Sequence, residues 1–403
     1  MSFTPAFKRL WAENVFTNLA DGLASSAFPL LAVTLTRDPV LISLIGALTM
    51  LPWLLFAMPI GAVIDVVNKK IALAIANIGR AMLAAILTVM IATDFITIYW
   101  LLAIAFLVGI CEVLADTTSQ TIMPLIVSNE DRVKANSRLE MTFTVIQSFI
   151  GAPIGALLYT LAMILPFISN AIAYGFAALI CLTIPLQHIR QRKEIKFQSI
   201  TEDVKFGIRY LFAHATLRRI VIATTLIGFC ASFARATEIL FWLDDLRLDP
   251  KKLGLLISAM GVVALLSAAL APKTAQILGY GRTLSLGITL TAVSTFLAGF
   301  SPNIWWFLIP GAITVFAITQ WNIVLMATYQ RLIPHELYGR IHGTRRSLIW
   351  GTMPFAALLG GLVAKIDLRL PWYIGGALMI VITFANWNFI IRMGDGDGAT
   401  KVN

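Results

Sequence analysis

The stretch LISLIGALTMLPWLLFAMPIGAVI, residues 41–64, carries no charged side chain along its whole length. An α-helix of this length rises about 36 Å at 1.5 Å per residue, enough to cross a hydrocarbon core roughly 30 Å thick. Only helices and closed barrels satisfy their backbone groups in that core, and the strands of a barrel alternate apolar and polar residues. Because this stretch does not alternate, it predicts a transmembrane helix.

Similar apolar stretches recur along nearly the whole chain and predict an all-α membrane protein. With 58% hydrophobic and 13% charged residues, the chain could not cover a soluble globule with polar surface, so lipid is its main solvent. We predict twelve spans, near residues 13–36, 41–64, 71–93, 98–123, 138–161, 164–186, 219–243, 252–272, 283–300, 304–329, 343–364 and 371–391.

The net charge of +10 would suggest nucleic-acid binding in a soluble protein. Here the Lys and Arg residues gather in every second gap between the spans, so the positive-inside rule explains the charge and we expect no nucleic-acid partner. The same rule places the N-terminus, the C-terminus and the basic central linker in the cytoplasm. The gaps on that side include Lys8, Arg9, Lys69, Lys70, Arg132, Lys134, Lys273, Arg282, Arg331, Arg340, Arg345, Arg346 and Arg392.

The two halves of the chain carry a repeated loop signal. LIVSNEDRVKAN (residues 125–136) and RLIPHELYGRIHG (residues 331–343) each follow the fourth span of a half and lead into the fifth. In each loop an acidic residue precedes a basic one by four positions. The repeat predicts an N-terminal six-helix bundle at 1–186, a cytoplasmic linker at 187–218 and a C-terminal six-helix bundle with a short tail at 219–403.

Four segments, in this order and spacing, resemble the major facilitator superfamily, and within it the macrolide-efflux-like and enterobactin-exporter-like branch. They are LADGLASSAFPLLAVTLT (19–36), GAVIDVVNKK (61–70), LIVSNEDRVKANS (125–137) and IPHELYGRIHG (333–343). The resemblance implies the major facilitator fold, two pseudo-symmetric six-helix bundles about a central cavity. It also implies a monomeric multi-pass transporter in the bacterial inner membrane, which is not an enzyme and uses no cofactor.

The loop between spans two and three matches the family's loop motif only in part. Gly61, Asp65, Lys69 and Lys70 match, while Val66 and Asn68 replace a basic residue and a second Gly. In the family this Asp helps to lock the cytoplasmic side, so the resemblance implies a gating role for Asp65, with a solvated loop carboxylate as the alternative. The predicted gating residues are Asp65, Lys69, Lys70, Arg80, Glu130, Arg132, Glu336 and Arg340.

Ionisable residues within the predicted spans are few. An ionised side chain facing lipid costs roughly 2.5 kcal/mol or more, so each one should face a cavity or a partner. Glu112 and Asp116 lie four residues apart on one face of the fourth span. When two carboxylates lie one helical turn apart in a poorly hydrated site, their repulsion favours the binding of one proton near neutral pH. We therefore predict Asp21, Glu112 and Asp116 as proton-coupling residues. The alternative pairs one of the two span-four acids with Arg80 as a static bridge.

Asp21 in the first span and Arg235 in the seventh occupy the first helix of each half. In the superfamily these helices line the central cavity, so an Asp21–Arg235 attraction could close its outer mouth. The alternative is that Arg235 and Glu238, three residues apart, neutralise each other.

The predicted substrate-binding residues combine charged groups with amide and aromatic side chains, as ligand pockets do. They are Asp21, Glu112, Arg235, Glu238, Gln320, Trp321, Asn322 and Trp350. We assign Trp53, Trp242 and Trp372 to an interfacial belt, and Gly151, Gly155, Gly360 and Gly361 to close helix packing.

The leading functional hypothesis is export of an amphipathic small molecule, such as a drug or siderophore, by proton-coupled alternating access. The partners are then a small-molecule substrate, protons and the lipid bilayer. The main alternative is a lipid or lysophospholipid transporter without proton coupling, because KANSRLEMT (134–142), Asp21, and Arg235 followed by ILFW also resemble that transporter family. A membrane scaffold is a third reading, and the costly buried charges argue against it. The sequence contains no P-loop, so ATP-driven pumping has no support.

Overall fold

The protein is described here by a computed structural model at residues 4–128, 131–185, 207–249, 252–333 and 338–394. Within these ranges the chain forms helices joined by short turns and contains no strand. The first six long helices are α1 (Pro5–Leu35), α2 (Pro39–Val66), α3 (Lys69–Ala92), α4 (Ile98–Ile126), α5 (Arg132–Thr142, a π-helical stretch Phe143–Gly151, then Ala152–Leu161) and α6 (Leu165–Thr183).

A second series of six long helices follows. Residues 186–206, which include most of the predicted central linker, lie outside the described residues, and a helical stretch at 207–213 leads into the series. Its members are α7 (Ala215–Ala234, continued by Glu238–Leu240 and Phe241–Asp245), α8 (Leu253–Leu278), α9 (Tyr280–Ala298), α10 (Ile304–Leu332), α11 (Tyr338–Ala364) and α12 (Leu370–Gly394).

Ten of these twelve described helices are long and apolar enough to cross a membrane. The other two, α5 and α9, carry more polar residues. The first part of α5 is polar, and only its second part, Val145–Leu161, forms a shorter apolar helix. Helix α9 buries five hydroxyl side chains against its neighbours, Thr283, Ser285, Thr291, Ser294 and Thr295. Both helices occur where the sequence predicts spans, and the predicted all-α fold is confirmed.

Short polar side chains determine where several helices begin. The Thr4 hydroxyl accepts a hydrogen bond from the Phe7 amide at 3.2 Å, so α1 begins at Pro5 rather than near residue 13. Asn68, Thr97 and Asn303 cap α3, α4 and α10 in the same way. The early start of α1 places Glu13 two turns inside the helix.

The helices divide into two compact units that do not coincide with the two halves of the sequence. Unit 1 comprises Met1–Thr36, Leu48–Ile200 and Pro250–Gly261, and unit 2 comprises Arg37–Ala47, Thr201–Asp249 and Val262–Asn403. The beginning of α2 therefore packs within unit 2, and the beginning of α8 packs within unit 1. Sequence order does not predict this exchange of two helix ends.

Glycines permit close helix contacts inside each unit. In unit 1, a Cβ on Gly155 would lie 2.7 Å from Leu23 Cα, and one on Gly151 would lie 2.8 Å from Gly22 Cα, beside the π-helical stretch of α5. In unit 2, a Cβ on Gly361 would lie 2.7 Å from Ser43 Cβ, and Gly360 is equally tight against α7. The predicted packing role of these four glycines is confirmed, because any larger side chain would push the helices apart.

Candidate functional site

A stripe of polar side chains follows one face of α1 through the interior of unit 1. Glu13, Thr17 and Asp21 recur every four residues along this helix. Glu13 is 1% exposed, and the Asp21 side chain is 13% exposed. Glu13 is not among the predicted site residues, because the predicted first span begins at that position and so leaves it at the membrane edge.

Helix α3 connects the two acids of this stripe through a chain of hydrogen bonds. Asn77 Nδ2 donates to Glu13 Oε1 at 2.8 Å, and Arg80 Nη2 donates to Asn77 Oδ1 at 2.7 Å. Arg80 Nη1 then donates to Asp21 Oδ1 at 3.1 Å. Because Asn77 and Arg80 are three residues apart, one face of α3 presents both of them to α1.

Helix α6 completes the network with Tyr174. The Tyr174 hydroxyl donates to Asp21 Oδ1 at 2.5 Å, and the Arg80 guanidinium carbon lies 4.6 Å from the centre of the Tyr174 ring. Both Arg80 and Tyr174 are fully buried. The guanidinium is therefore held by a carboxylate, an amide and an aromatic face at once, which fixes its position in the bundle. We call Glu13, Asn77, Arg80, Asp21 and Tyr174 the α1–α3–α6 network.

The charges of this network do not balance when both acids are ionised, since it holds two carboxyl groups and one guanidinium. Asp21 is compensated by Arg80 and Tyr174. Glu13 receives one hydrogen bond from the neutral Asn77, and its second oxygen, Oε2, is buried without a hydrogen-bond partner among the described residues. An uncompensated buried charge is costly, so the network is neutral only when one of its two acids carries a proton.

The predicted acids of α4 lie close to the network. Glu112 and Asp116 are half-buried, and both are within electrostatic range of Arg80. Asp116 also interacts electrostatically with Glu13. Arg80 Nη1 donates to Asp21 Oδ1 at 3.1 Å and Oδ2 at 3.3 Å, so a bridge to Arg80 comes from α1, whereas the alternative interpretation of the sequence placed such a bridge on α4.

Arg235 and Glu238 pair with each other in unit 2. Arg235 Nη2 lies 2.7 Å from Glu238 Oε2, and Arg235 Nε donates to the same oxygen at 2.9 Å. Arg235 stands at the C-terminal cap of Ala215–Ala234, where the helix turns before Glu238. The structure therefore contains the local Arg235–Glu238 pair, which was the alternative to an Asp21–Arg235 attraction, and within unit 1 Asp21 is paired with Arg80.

The predicted amide and aromatic candidates separate into two groups. Gln320 is buried, donates to the Ser267 carbonyl at 2.7 Å and accepts from the Thr274 hydroxyl at 2.6 Å. Trp321 is buried in the hydrophobic core of unit 2. Both side chains serve helix packing, which argues against their predicted substrate role. Asn322 is exposed and Trp350 is half-buried, and they stay substrate candidates.

Two tryptophans of the predicted interfacial belt lie instead in an aromatic cluster of unit 2. The ring of Phe307 is 5.7 Å from that of Trp242 and 5.8 Å from that of Trp372. Trp242 and Trp372 are 6% and 2% exposed, so they pack in the core and the belt prediction was wrong for both.

The predicted gating residues are described in part. Lys69 Nζ donates to the Ile64 carbonyl at 2.8 Å, and Arg132 Nη2 donates to the Pro124 carbonyl at 3.1 Å. Lys70 is half-buried. Lys69 and Arg132 thus each stabilise the C-terminal turn of the helix that precedes them. Four others fall outside the described residues: Glu130 and Glu336 entirely, and Asp65 and Arg340 in their side chains.

Three ion pairs cluster at one end of unit 2 and were not predicted. Arg37 Nη1 lies 2.9 Å from Asp244, Lys365 Nζ lies 3.1 Å from Asp38, and Arg369 Nε lies 2.6 Å from Asp245. They join the turn before α2, the end of α7 and the α11–α12 turn. We call these six residues the end cluster.

The neighbours of Asp38 in the end cluster change the pKa of its carboxyl. Partial burial raises this pKa. The hydrogen bond from the Val40 amide and the positive charge of Lys365 lower it by a larger amount, so the pKa is below its usual value. The ionised form of Asp38 is therefore the one that the folded protein favours.

Sequence and structure comparisons agree on the class of protein. The sequence profile of the Major Facilitator Superfamily matches residues 11–344. No curated protein matches the sequence significantly.

Solved structures match nearly the whole chain at low identity. The nucleoside transporter NupG is 16% identical with a TM-score of 0.66, over 96% of this chain and 100% of that one. A bacterial homologue of the iron transporter ferroportin in an inward-facing state is 14% identical with a TM-score of 0.72, over 96% and 99%. A D-xylose-proton symporter is 14% identical with a TM-score of 0.71, over 98% and 99%. At these identities the likeness establishes the fold.

Proposed function

Since this chain belongs to the Major Facilitator Superfamily and is a membrane transporter rather than an enzyme, we propose that it exports an amphipathic small molecule in exchange for protons. The exporter would expose its substrate site to one side of the membrane and then the other. We place it in the bacterial inner membrane as a monomer, with both termini in the cytoplasm as the distribution of Lys and Arg indicates.

The observation that carries proton coupling is the charge imbalance of the α1–α3–α6 network. A buried site with one more acid than base is stable in its protonated form or with a cation bound beside it. Glu13 is the residue that we assign to the proton, because its Oε2 is buried with no hydrogen-bond partner in the described part of the chain and its Oε1 accepts from the neutral Asn77. Release of that proton leaves a negative site, which a cationic substrate then compensates.

Asp21, Glu112 and Asp116 are the other proposed proton-coupling residues. Asp21 is bound to Arg80 and Tyr174, so its role is to hold Arg80 and to transmit a change of charge along α1 and α3. Glu112 and Asp116 are half-buried on α4, within electrostatic range of Arg80, and provide carboxylates to an approaching cation or neutral polar group.

Substrate recognition in this proposal combines the negative charge of these acids with less buried groups. Asn322 and Trp350 add a hydrogen-bonding amide and an aromatic face, which suit a bulky amphipathic molecule. When these carboxyl groups are ionised, their negative charge favours the binding of cationic or neutral substrates over anions.

Proteoliposomes of known orientation test the proposal. Efflux of a panel of dyes, drugs and siderophores is measured with and without an imposed pH gradient. We expect the gradient to drive transport by the wild type, and Glu13→Gln to transport at the same rate with and without it, because Gln is a permanently neutral analogue of protonated Glu. Asp94→Asn is the matched control, an exposed acid in a turn whose φ of 54° Asn accepts.

Two results would overturn the assignments. If Glu13→Gln keeps its full response to the gradient, Glu13 is not the proton site. If Glu112→Gln and Asp116→Asn, alone or together, also leave the response unchanged, the α4 acids are not coupled to transport. Uptake of labelled lysolipid without any gradient response would instead support the lipid-transporter alternative.

A further inference from the structure

Two cavities open between α7 and α12 at one end of unit 2. The first, about 450 Å³, is lined by Thr216, Arg219, Phe384, Ala385, Asn388, Phe389, Arg392 and Met393. The second, about 400 Å³, is lined by Ala215, Arg218, Arg219, Ile222, Ala223, Leu226 and Asn386. Arg219 borders both, and we call the two neighbouring cavities together the α7–α12 groove. All of its lining residues belong to unit 2.

The polar part of the groove is positively charged. Arg218, Arg219 and Arg392 line it, together with Asn386 and Asn388, and none of the described lining residues is acidic. Arg219 is in the first turns of α7 and Arg392 is in the last turn of α12, so the charges meet at the same end of the helix pair. This end is the proposed cytoplasmic one.

Arg219 is held in place rather than extended into solvent. Its Nε donates to Asn386 Oδ1 at 3.0 Å and its Nη2 donates to the Ala385 carbonyl at 3.1 Å. The guanidinium lies over the Phe389 ring at 4.5 Å. Among the described residues Nη1 has no partner, so an oriented guanidinium retains hydrogen-bonding capacity for an anion.

The groove continues into an apolar surface that faces outward from the unit. Ile222 and Leu226 follow Arg219 on the same face of α7, at 43% and 46% exposure, and Phe384 on α12 is 65% exposed. An arginine cluster at the helix ends, followed by an exposed apolar ridge within the membrane span, matches a molecule with an anionic head and long acyl chains.

We propose that the α7–α12 groove binds an anionic phospholipid, with its phosphate on Arg219, flanked by Arg218 and Arg392, and its acyl chains along Ile222, Leu226 and Phe384. Basic pockets between transmembrane helices bind anionic head groups in this way, and each added Lys or Arg near the membrane surface contributes about a fivefold gain in affinity. The proposal does not depend on the identity of the transported substrate.

Binding is measured on the purified full-length protein, delipidated in detergent and titrated with phosphatidylglycerol or phosphatidylcholine by native mass spectrometry. We expect phosphatidylglycerol to bind in preference, and Arg219→Gln and Arg392→Gln each to weaken it by about fivefold or more. Arg282→Gln is the matched control. Arg282 is exposed at the same end, where Gly281 of α9 packs against Ile391 of α12, but it does not line the groove.

Three outcomes would overturn the proposal. These are equal binding of the two lipids, an unchanged affinity in both groove variants, or displacement of phosphatidylglycerol by millimolar inorganic phosphate, which would identify a site for soluble anions. Thermal melting of each variant confirms folding, and Arg392→Gln carries the test if Arg219→Gln does not fold.

Discussion

The two units accommodate polar side chains inside their helix bundles in different ways. Unit 1 buries a guanidinium and two carboxyl groups in the α1–α3–α6 network. Unit 2 also buries a guanidinium, that of Arg345, which lies 4.2 Å from the centre of the Tyr329 ring, but the described contacts between α8, α9 and α10 are neutral pairs, such as Gln320 with Ser267 and Thr274, or Ser294 with Thr314. Because neutral hydrogen bonds do not change with protonation, these pairs of unit 2 serve packing, and the candidates for the proton chemistry that we propose lie in unit 1.

The largest expected effect in this comparison comes from Arg80→Gln. Removal of the guanidinium leaves the Asp21 carboxylate without its compensating charge, and breaking such a buried pair costs about 3–5 kcal/mol. Thermal unfolding in detergent measures the loss. We expect Asp21→Asn in the same chain to restore part of it, because the second variant removes one orphaned charge.

The exposed Arg282→Gln serves as the control for Arg80→Gln and is expected to change stability by less than about 0.5 kcal/mol. If Arg80→Gln is no more destabilising than this control, the α1–α3–α6 network does not stabilise unit 1. If Arg80→Gln alone does not accumulate in the membrane, the double variant Asp21→Asn, Arg80→Gln still tests the charge argument, because we expect it to accumulate to a higher level than the single variant.

A smaller effect is expected for Gln320→Leu in unit 2. The Thr274 hydroxyl also donates to the Leu270 and Ala271 carbonyls, at 3.1 and 3.0 Å, so it stays satisfied when Gln320 is lost. We expect a cost of about 1 kcal/mol in thermal stability and an unchanged response of transport to a pH gradient. A changed KM for substrate would show that Gln320 binds substrate after all.

The smallest effect is expected in the end cluster, where the Asp38–Lys365 pair is partly exposed. A double-mutant cycle with Asp38→Asn and Lys365→Gln should give a coupling energy of at most about 1 kcal/mol. Since the pKa of Asp38 is lowered in the folded protein, its contribution is present above the ordinary Asp pKa of about 4 and is lost as the pH falls further. A coupling that grows on acidification would contradict this assignment.

Sequence reasoning was most successful where the signal is local. The twelve apolar stretches, and the packing glycines at Gly151, Gly155, Gly360 and Gly361, follow from residue type and spacing, and the structure has helices and close contacts at these positions. The site was harder to predict. The sequence identifies Arg80 as a charge inside a span, but the partner considered for it, as an alternative to proton coupling, was an acid of α4, and the structure pairs it with Asp21 of α1.

Glu13 shows how an error in a helix boundary propagates to a site. Hydropathy places the start of the first span at residue 13, because Lys8 and Arg9 precede it, whereas the Thr4 cap lets the helix begin at Pro5. A residue counted at the membrane edge thereby becomes a buried acid. The pattern of acidic and polar residues every four positions, from Glu13 to Asp21, was the available signal.

Helix number, order and type in this protein follow from hydropathy alone, because lipid as solvent requires about twenty consecutive apolar residues for each crossing, whatever the neighbouring helices do. The partners of Arg80, the burial of Trp242 and Trp372, and the ion pairs of the end cluster follow from packing instead. Each depends on how a helix is rotated about its axis and which helix lies beside it. The rotation and the neighbours of a helix are determined by contacts between residues far apart in the chain, and the local spacing of residues contains no information about them.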